Sequence, residues 1–114
     1  MSDATTTVGE LRDRAARFVK ERAWEPYHNP KDLAMALSIE AAELLEILLW
    51  RDLPSVAGLS EAGRAALREE LADVVIYGLH LCAALGIDLS DAVTAKIAKN
   101  EAKYPAERFK GRAR

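Results

Sequence analysis

Cysteine is almost absent from this 114-residue chain, where Cys82 stands alone. One thiol excludes a disulfide framework or a cysteine-based zinc site within a single chain. In the apolar run Leu79, Cys82, Leu85 it reads as a small buried hydrophobe. No apolar stretch approaches the ~18 residues that a bilayer span needs. Residues Met1 to Thr7 are polar and lack an apolar h-region, so no signal peptide is expected and a cytoplasmic protein follows. Strand-like alternation, internal repeats and low-complexity segments are missing as well. The expected fold is therefore all-α, a four-helix bundle-like arrangement. Histidine is scarce too, and none lies three residues after a candidate acidic ligand, which excludes the Glu-x-x-His pattern of di-iron bundles.

A strong overall charge is also missing, since the net value is −2. That balance conceals a basic end. Residues 96–114 hold seven Lys or Arg against Glu101 and Glu107, which leaves the remainder at −7. Such an end can meet a polyphosphate, because lysine acts as a point charge on phosphate. Nucleic acid is the weaker reading, and a solvated tail the simplest. Half of the residues are hydrophobic and 30% charged, in keeping with one domain over residues 1–105 and a basic tail over 106–114. The core of so short a chain is small, and self-association would help it.

Helix signals divide the chain. Thr7-x-x-Glu10 is a capping box that opens a helix over Val8–Ala23, with Leu11, Ala15, Phe18 and Val19 as its apolar stripe. Trp24–Asn29 is read as a loop, because Pro26 and Pro30 disfavour helix in the residues before them. Asn29-Pro30 starts a second helix that runs to about Arg51, and Leu53–Leu59 reads as a linker loop. Ser60 caps a third helix that reaches Leu85, with Gly86 as its C-cap. Within it, Gly78 is expected to mark close approach of another helix. A fourth helix, capped by Asp88 or Ser90, continues to Lys103, and Pro105 ends it. Residues Ala106–Arg114 have little to bury and are expected to be mobile.

What the chain does have is two acidic pairs in apolar helical runs: Glu40-x-x-Glu43 and Glu70-x-x-Asp73. Three helical steps put both carboxylates of a pair on one face. The first pair interrupts the stripe Leu33, Leu37, Leu44, Ile47, and the second lies among Leu67, Leu71, Val74 and Val75. Carboxylates there are costly unless a cation meets them. A solvated face is the simpler reading of either pair alone. Together, on facing helices, they form an oxygen-lined pocket suited to Mg²⁺, with Mn²⁺ as a substitute. Glu43 or Glu46 would orient or deprotonate a water, while Glu69 would face solvent. Trp24, Tyr27 and His28 precede the second helix, Trp50 closes it, and Tyr77 sits one turn beyond Asp73. These are aromatic faces for a base or, equally, caps on a small core. Lys96, Asn100 and Lys103 share a helical face that can hold phosphate oxygens or simply be solvated.

Through these residues the chain resembles the MazG-like, all-α nucleoside triphosphate pyrophosphohydrolases, in particular their dCTP pyrophosphatase branch. The resemblance runs from Leu11 to Pro105. It is carried by ERAWEPYHNPKDLAMAL, IEAAELLEILLW, EELADVVIYGLHLCAALGIDL and AKIAKNEAKYP. It implies Mg²⁺-dependent cleavage of a triphosphate to the monophosphate and pyrophosphate. Glu40, Glu43, Glu70 and Asp73 would hold metal. Trp24, His28, Trp50 and Tyr77 would line the nucleotide pocket, and Lys96 and Asn100 would contact phosphates or base. Homodimers or homotetramers with shared sites are implied as well. Many relatives have Glu before the first ligand where this chain has Ile39, which loosens kinship with MazG proper more than it affects the activity. Two other readings stay open: a non-catalytic helical interaction module, and action on dUTP or a phosphoribosyl nucleotide.

Overall fold

Local capping sets the helix starts in the computed structural model, which describes residues 1–52 and 56–112. Helix α1 spans Val8–Glu21. Its capping box is complete: the Thr7 N–H donates to Glu10 Oε2 at 2.9 Å, and the Glu10 N–H donates to Thr7 Oγ1 at 3.1 Å. Helix α2 spans Pro30–Ile47 and starts where Asn29 Oδ1 accepts the Asp32 N–H at 2.9 Å. Helix α3 spans Glu61–Leu85 behind Ser60, and α4 spans Leu89–Lys103 behind Asp88 rather than Ser90. A short α5, Ala106–Phe109, follows Pro105. The described residues contain no strand, so the all-α expectation holds with one helix more than expected.

Two ends fall earlier than the periodicity suggests, and each is followed by a residue with left-handed backbone. Ala23 has φ 54°, and the chain leaves α1 through the Ala23 N–H to Lys20 carbonyl and Trp24 N–H to Val19 carbonyl bonds of a Schellman motif. Helix α2 ends at Ile47, short of Arg51, where the Leu48 and Leu49 N–H groups donate to the Leu45 and Glu46 carbonyls three residues back, and the left-handed Trp50 at φ 63° follows. The segment expected to be a plain loop after Trp24 contains a 3₁₀ turn, Glu25–Tyr27. A second such turn, Val56–Gly58, lies in the expected linker, whose Leu53, Pro54 and Ser55 fall outside the described residues. The tail expected to be mobile is partly folded instead. Phe109 of α5 packs edge-to-face on Tyr104 with ring centroids 5.4 Å apart. Ala113 and Arg114 lie outside the described residues.

The packing is uneven. Helices α2 and α3 form the main contact, and α1 lies against α3. Val19, Leu33, Leu79 and Cys82 are the buried apolar residues, so the bland reading of Cys82 holds. Helix α4 leaves α3 at 105°, and every residue from Ser90 to Lys103 is exposed. The radius of gyration is 17.1 Å, against about 13 Å for a compact domain of this length. Large apolar side chains stay open along α2, α3 and α4, among them Met35, Ile39, Leu45, Leu71, Val75, Val93 and Ile97. Gly78 does not mark close approach of another helix within the chain: a Cβ there would meet nothing within 4 Å. No single described helix is long and apolar enough to cross a membrane.

Gly86 closes α3 at φ 65° with open space around it, so its value is conformational rather than steric. Gly86→Ala should lower the unfolding free energy by about 1 kcal/mol, read from urea denaturation.

Candidate metal centre and its aromatic neighbours

The α2–α3 contact turns the two acidic pairs toward each other. Carboxylate oxygens of Glu40, Glu43 and Glu70 all lie within 4.8 Å of one another. Glu40 Oε2 and Glu70 Oε2 are hidden from solvent and have no hydrogen-bond partner. Buried charged oxygens without partners are rare, because each forfeits its hydration. No Lys or Arg pairs with any of these carboxylates among the described residues; the ion pairs found there join Arg12 to Asp13, Arg22 to Glu21 and Lys31 to Asp32. An open cleft of about 360 Å³ adjoins the cluster, lined by Glu43, Glu46, Ile47 and Glu70.

The electrostatics follow from this crowding. Burial, then a hydrogen bond and the charge of Glu43, and then the charges of Asp73 and Glu70 push the Glu40 carboxyl up to about 7. Glu70 is raised too, first by burial, then by the Glu43 charge and a hydrogen bond with Glu43, then by the Asp73 charge; a hydrogen bond with Glu40 works the other way. Asp73 is thus close enough to act on both, though its oxygens are not among the three that converge. A set of hard carboxylate donors, two with bare buried oxygens and none with a cationic partner, fits a hard divalent cation. Glu69 faces solvent, as expected.

The other candidates fall into two groups. Tyr77 and His28 are half-buried and share a neighbour, His80. The His80 ring sits 4.8 Å from that of His28 and 5.6 Å from that of Tyr77, edge-to-face in both cases. His80 is 8% exposed, the one polar side chain in the core among the described residues. It continues the α3 stripe Glu70, Asp73, Tyr77 by three residues, and that spacing is the signal by which it could have been found. Trp24, Trp50, Lys96 and Asn100 are not brought to the carboxylates by contacts within the chain. Trp24 packs on Phe18, with ring centroids 5.9 Å apart. Trp50 is 94% exposed. Lys96 and Asn100 lie on the exposed α4, and their side chains make no hydrogen bond or ion pair among the described residues.

Comparison with known proteins agrees with this geometry. A model of the MazG-like family matches residues 35–114. The chain is 42% identical to human dCTP pyrophosphatase 1 over 102 residues, which is 88% of this chain and 60% of that protein. The bovine protein of the same name is 38% identical over 109 residues, 94% of this chain and 64% of its own length. The chain therefore spans less than two thirds of these curated relatives. A pyrophosphatase structure from Archaeoglobus fulgidus superposes with a TM-score of 0.80 at 40% identity, covering 92% of this chain and 98% of that one.

The raised Glu40 carboxyl has a consequence for stability. The native state holds that proton more tightly than the unfolded chain, so metal-free protein should lose stability as pH rises from the ordinary value of 4.5 through about 7. Glu40→Gln should flatten this pH profile and raise the metal-free melting temperature at pH 8, as read by calorimetry.

Proposed function

The chain belongs to the MazG-like family, and on that basis we propose that it hydrolyses a nucleoside triphosphate between the α- and β-phosphates. The products are the monophosphate and pyrophosphate, and the metal is Mg²⁺. The substrate is dCTP or a modified pyrimidine deoxynucleotide, so that the enzyme clears unwanted nucleotides from the cytoplasmic pool. The observation that carries this reading is the convergence of Glu40, Glu43 and Glu70, with two hidden oxygens lacking any partner. The relatives named dCTP pyrophosphatase support the choice of base.

Glu40, Glu43, Glu70 and Asp73 are assigned to the metal. A magnesium ion bound there would neutralise charge on the phosphate chain and acidify a water. Glu46 lines the adjoining cleft but is outside the converging trio. That position suits it, or Glu43, to orient the attacking water and take its proton. A covalent nucleophile is not needed, and Cys82 is buried away from any substrate. His28 and Tyr77 supply ring faces for the base, joined by Trp24 and by Trp50 of a neighbouring copy. Lys96 and Asn100 are assigned to the phosphates. Because they stand on a helix with no covering layer, we assign them to the site of a neighbouring copy in a homodimer or homotetramer. The open apolar side chains of α2, α3 and α4 support such self-assembly.

The test is pyrophosphate release over a panel of dNTPs with and without Mg²⁺. Glu43→Gln and Asp73→Asn should each lower turnover by about a hundredfold or more, since even partners behind metal ligands are worth ~10–100-fold. Their helical circular dichroism should not change. Full turnover by both variants would refute the site. Mg²⁺ with substrate should also raise the wild-type melting temperature by mass action, and the rise should shrink in both variants.

A further inference from the structure

His80 is a buried polar ring to which the hydrolysis itself gives no task. His80 lies seven residues past Asp73 and ten past Glu70 on α3. Steps of three, four and three put Glu70, Asp73, Tyr77 and His80 on one helix face. The rise from Glu70 to His80 is about 15 Å. A nucleotide held by its phosphates at the carboxylates must extend its base toward one end of this stripe. Toward its start, α3 brings Arg64, Leu67 and Arg68 and no aromatic side chain; the ring that follows α2, Trp50, stands 94% exposed. Toward its end stand Tyr77, His80 and His28, with the His80 ring packed edge-to-face against each of the other two.

His80 differs from its two neighbours in being buried. A buried polar ring normally has a hydrogen-bond partner. No hydrogen bond to the His80 side chain occurs among the described residues. Its nitrogens are also not sealed off as Glu40 Oε2 and Glu70 Oε2 are. The ring body is therefore packed while a nitrogen remains reachable. Burial, and then the charge of His28, hold His80 below the ordinary histidine value of 6.5, which favours the neutral ring. A neutral imidazole has one N–H donor and one acceptor nitrogen. Either can meet the polar edge of a pyrimidine, where donors and acceptors distinguish one base from another.

Resting on the pyrophosphohydrolase reading, we propose that His80 is the specificity-determining residue of the base site, making one hydrogen bond to the polar edge of a pyrimidine while His28 and Tyr77 hold its ring. Nothing else on α3 beyond Tyr77 offers both burial and a free polar atom on that face. A merely structural core histidine would contribute to stability and leave base choice alone.

The decisive experiment compares the full-length wild type with His80→Phe and His80→Gln on dCTP, dUTP and dTTP in Mg²⁺. Phenylalanine keeps the ring and its edge-to-face contacts but has no hydrogen-bonding atom. It should lower kcat/KM for the preferred base about tenfold or more, chiefly through KM, and move the ratios between bases toward unity. Glutamine, which has both a donor and an acceptor, should recover part of the loss. A variant-free measurement accompanies it. In wild type with ¹⁵N-labelled histidine, dCMP should shift the His80 ring nitrogens, and inorganic pyrophosphate alone should not. Unmoved base ratios in a folded His80→Phe, or equal responses to dCMP and pyrophosphate, overturn the assignment while leaving the activity intact. A wild type that releases pyrophosphate from no dNTP overturns the activity itself, and this assignment with it.

Discussion

Mutual repulsion among carboxylates is the constraint around which this chain is organised. Glu40, Glu43 and Glu70 converge with no Lys or Arg paired to them among the described residues, and Asp73 adds its charge from the next turn. Left to themselves, such groups would separate into water. They cannot, because each is fixed to a helix and the helices are fixed to each other by apolar packing at positions such as Leu33 and Leu79. The cost appears as a carboxyl displaced to about 7 and as two oxygens without partners. Perturbed groups of this kind concentrate where chemistry is done. The cluster could hold a metal ion, whose binding would offset that cost.

Helix α3 is the axis on which the two halves of the site meet. Its first half presents acidic oxygens and its second half presents rings. The same face serves both, because positions 70, 73, 77 and 80 recur at helical spacing. Rigid helices suit this task better than loops, since they hold two ends of one ligand at a fixed separation. Packing of α1 and α2 against α3 then decides which ends are open. His28, which arrives on the turn before α2, closes the aromatic end through its contact with His80.

The outer helix follows a different logic. Helix α4 has every residue from Ser90 to Lys103 exposed, and its Val93 and Ile97 face solvent with the open apolar positions of α2 and α3. A chain of this size buries too little by itself to leave such surface idle. Self-association would cover that surface, and under the proposed function it would also give Lys96 and Asn100 a site to serve. The single chain thus holds the acidic cluster and the ring pair in one body, while Lys96 and Asn100 stand apart from them.

Much of this was legible before any coordinates. Helix identity follows from local signals, and the capping box at Thr7, the Asn29-Pro30 start and the Gly86 stop all lie where nearest-neighbour chemistry puts them. The acidic pairs were legible too, because a three-residue step on a helix determines a shared face whatever surrounds it. Local rules could not foresee the left-handed turns at Ala23 and Trp50, since neither residue type announces them. Nor could they foresee α5, whose aromatic contact joins Tyr104 to Phe109 across a proline. Sequence by itself determined which residues each helix displays on each face. Only tertiary structure decided which faces meet: that the two pairs converge, that Gly78 meets no helix of its own chain, and that His80 is drawn into the core beside His28. The reason is physical, because periodicity is a property of one helix and burial is a property of two.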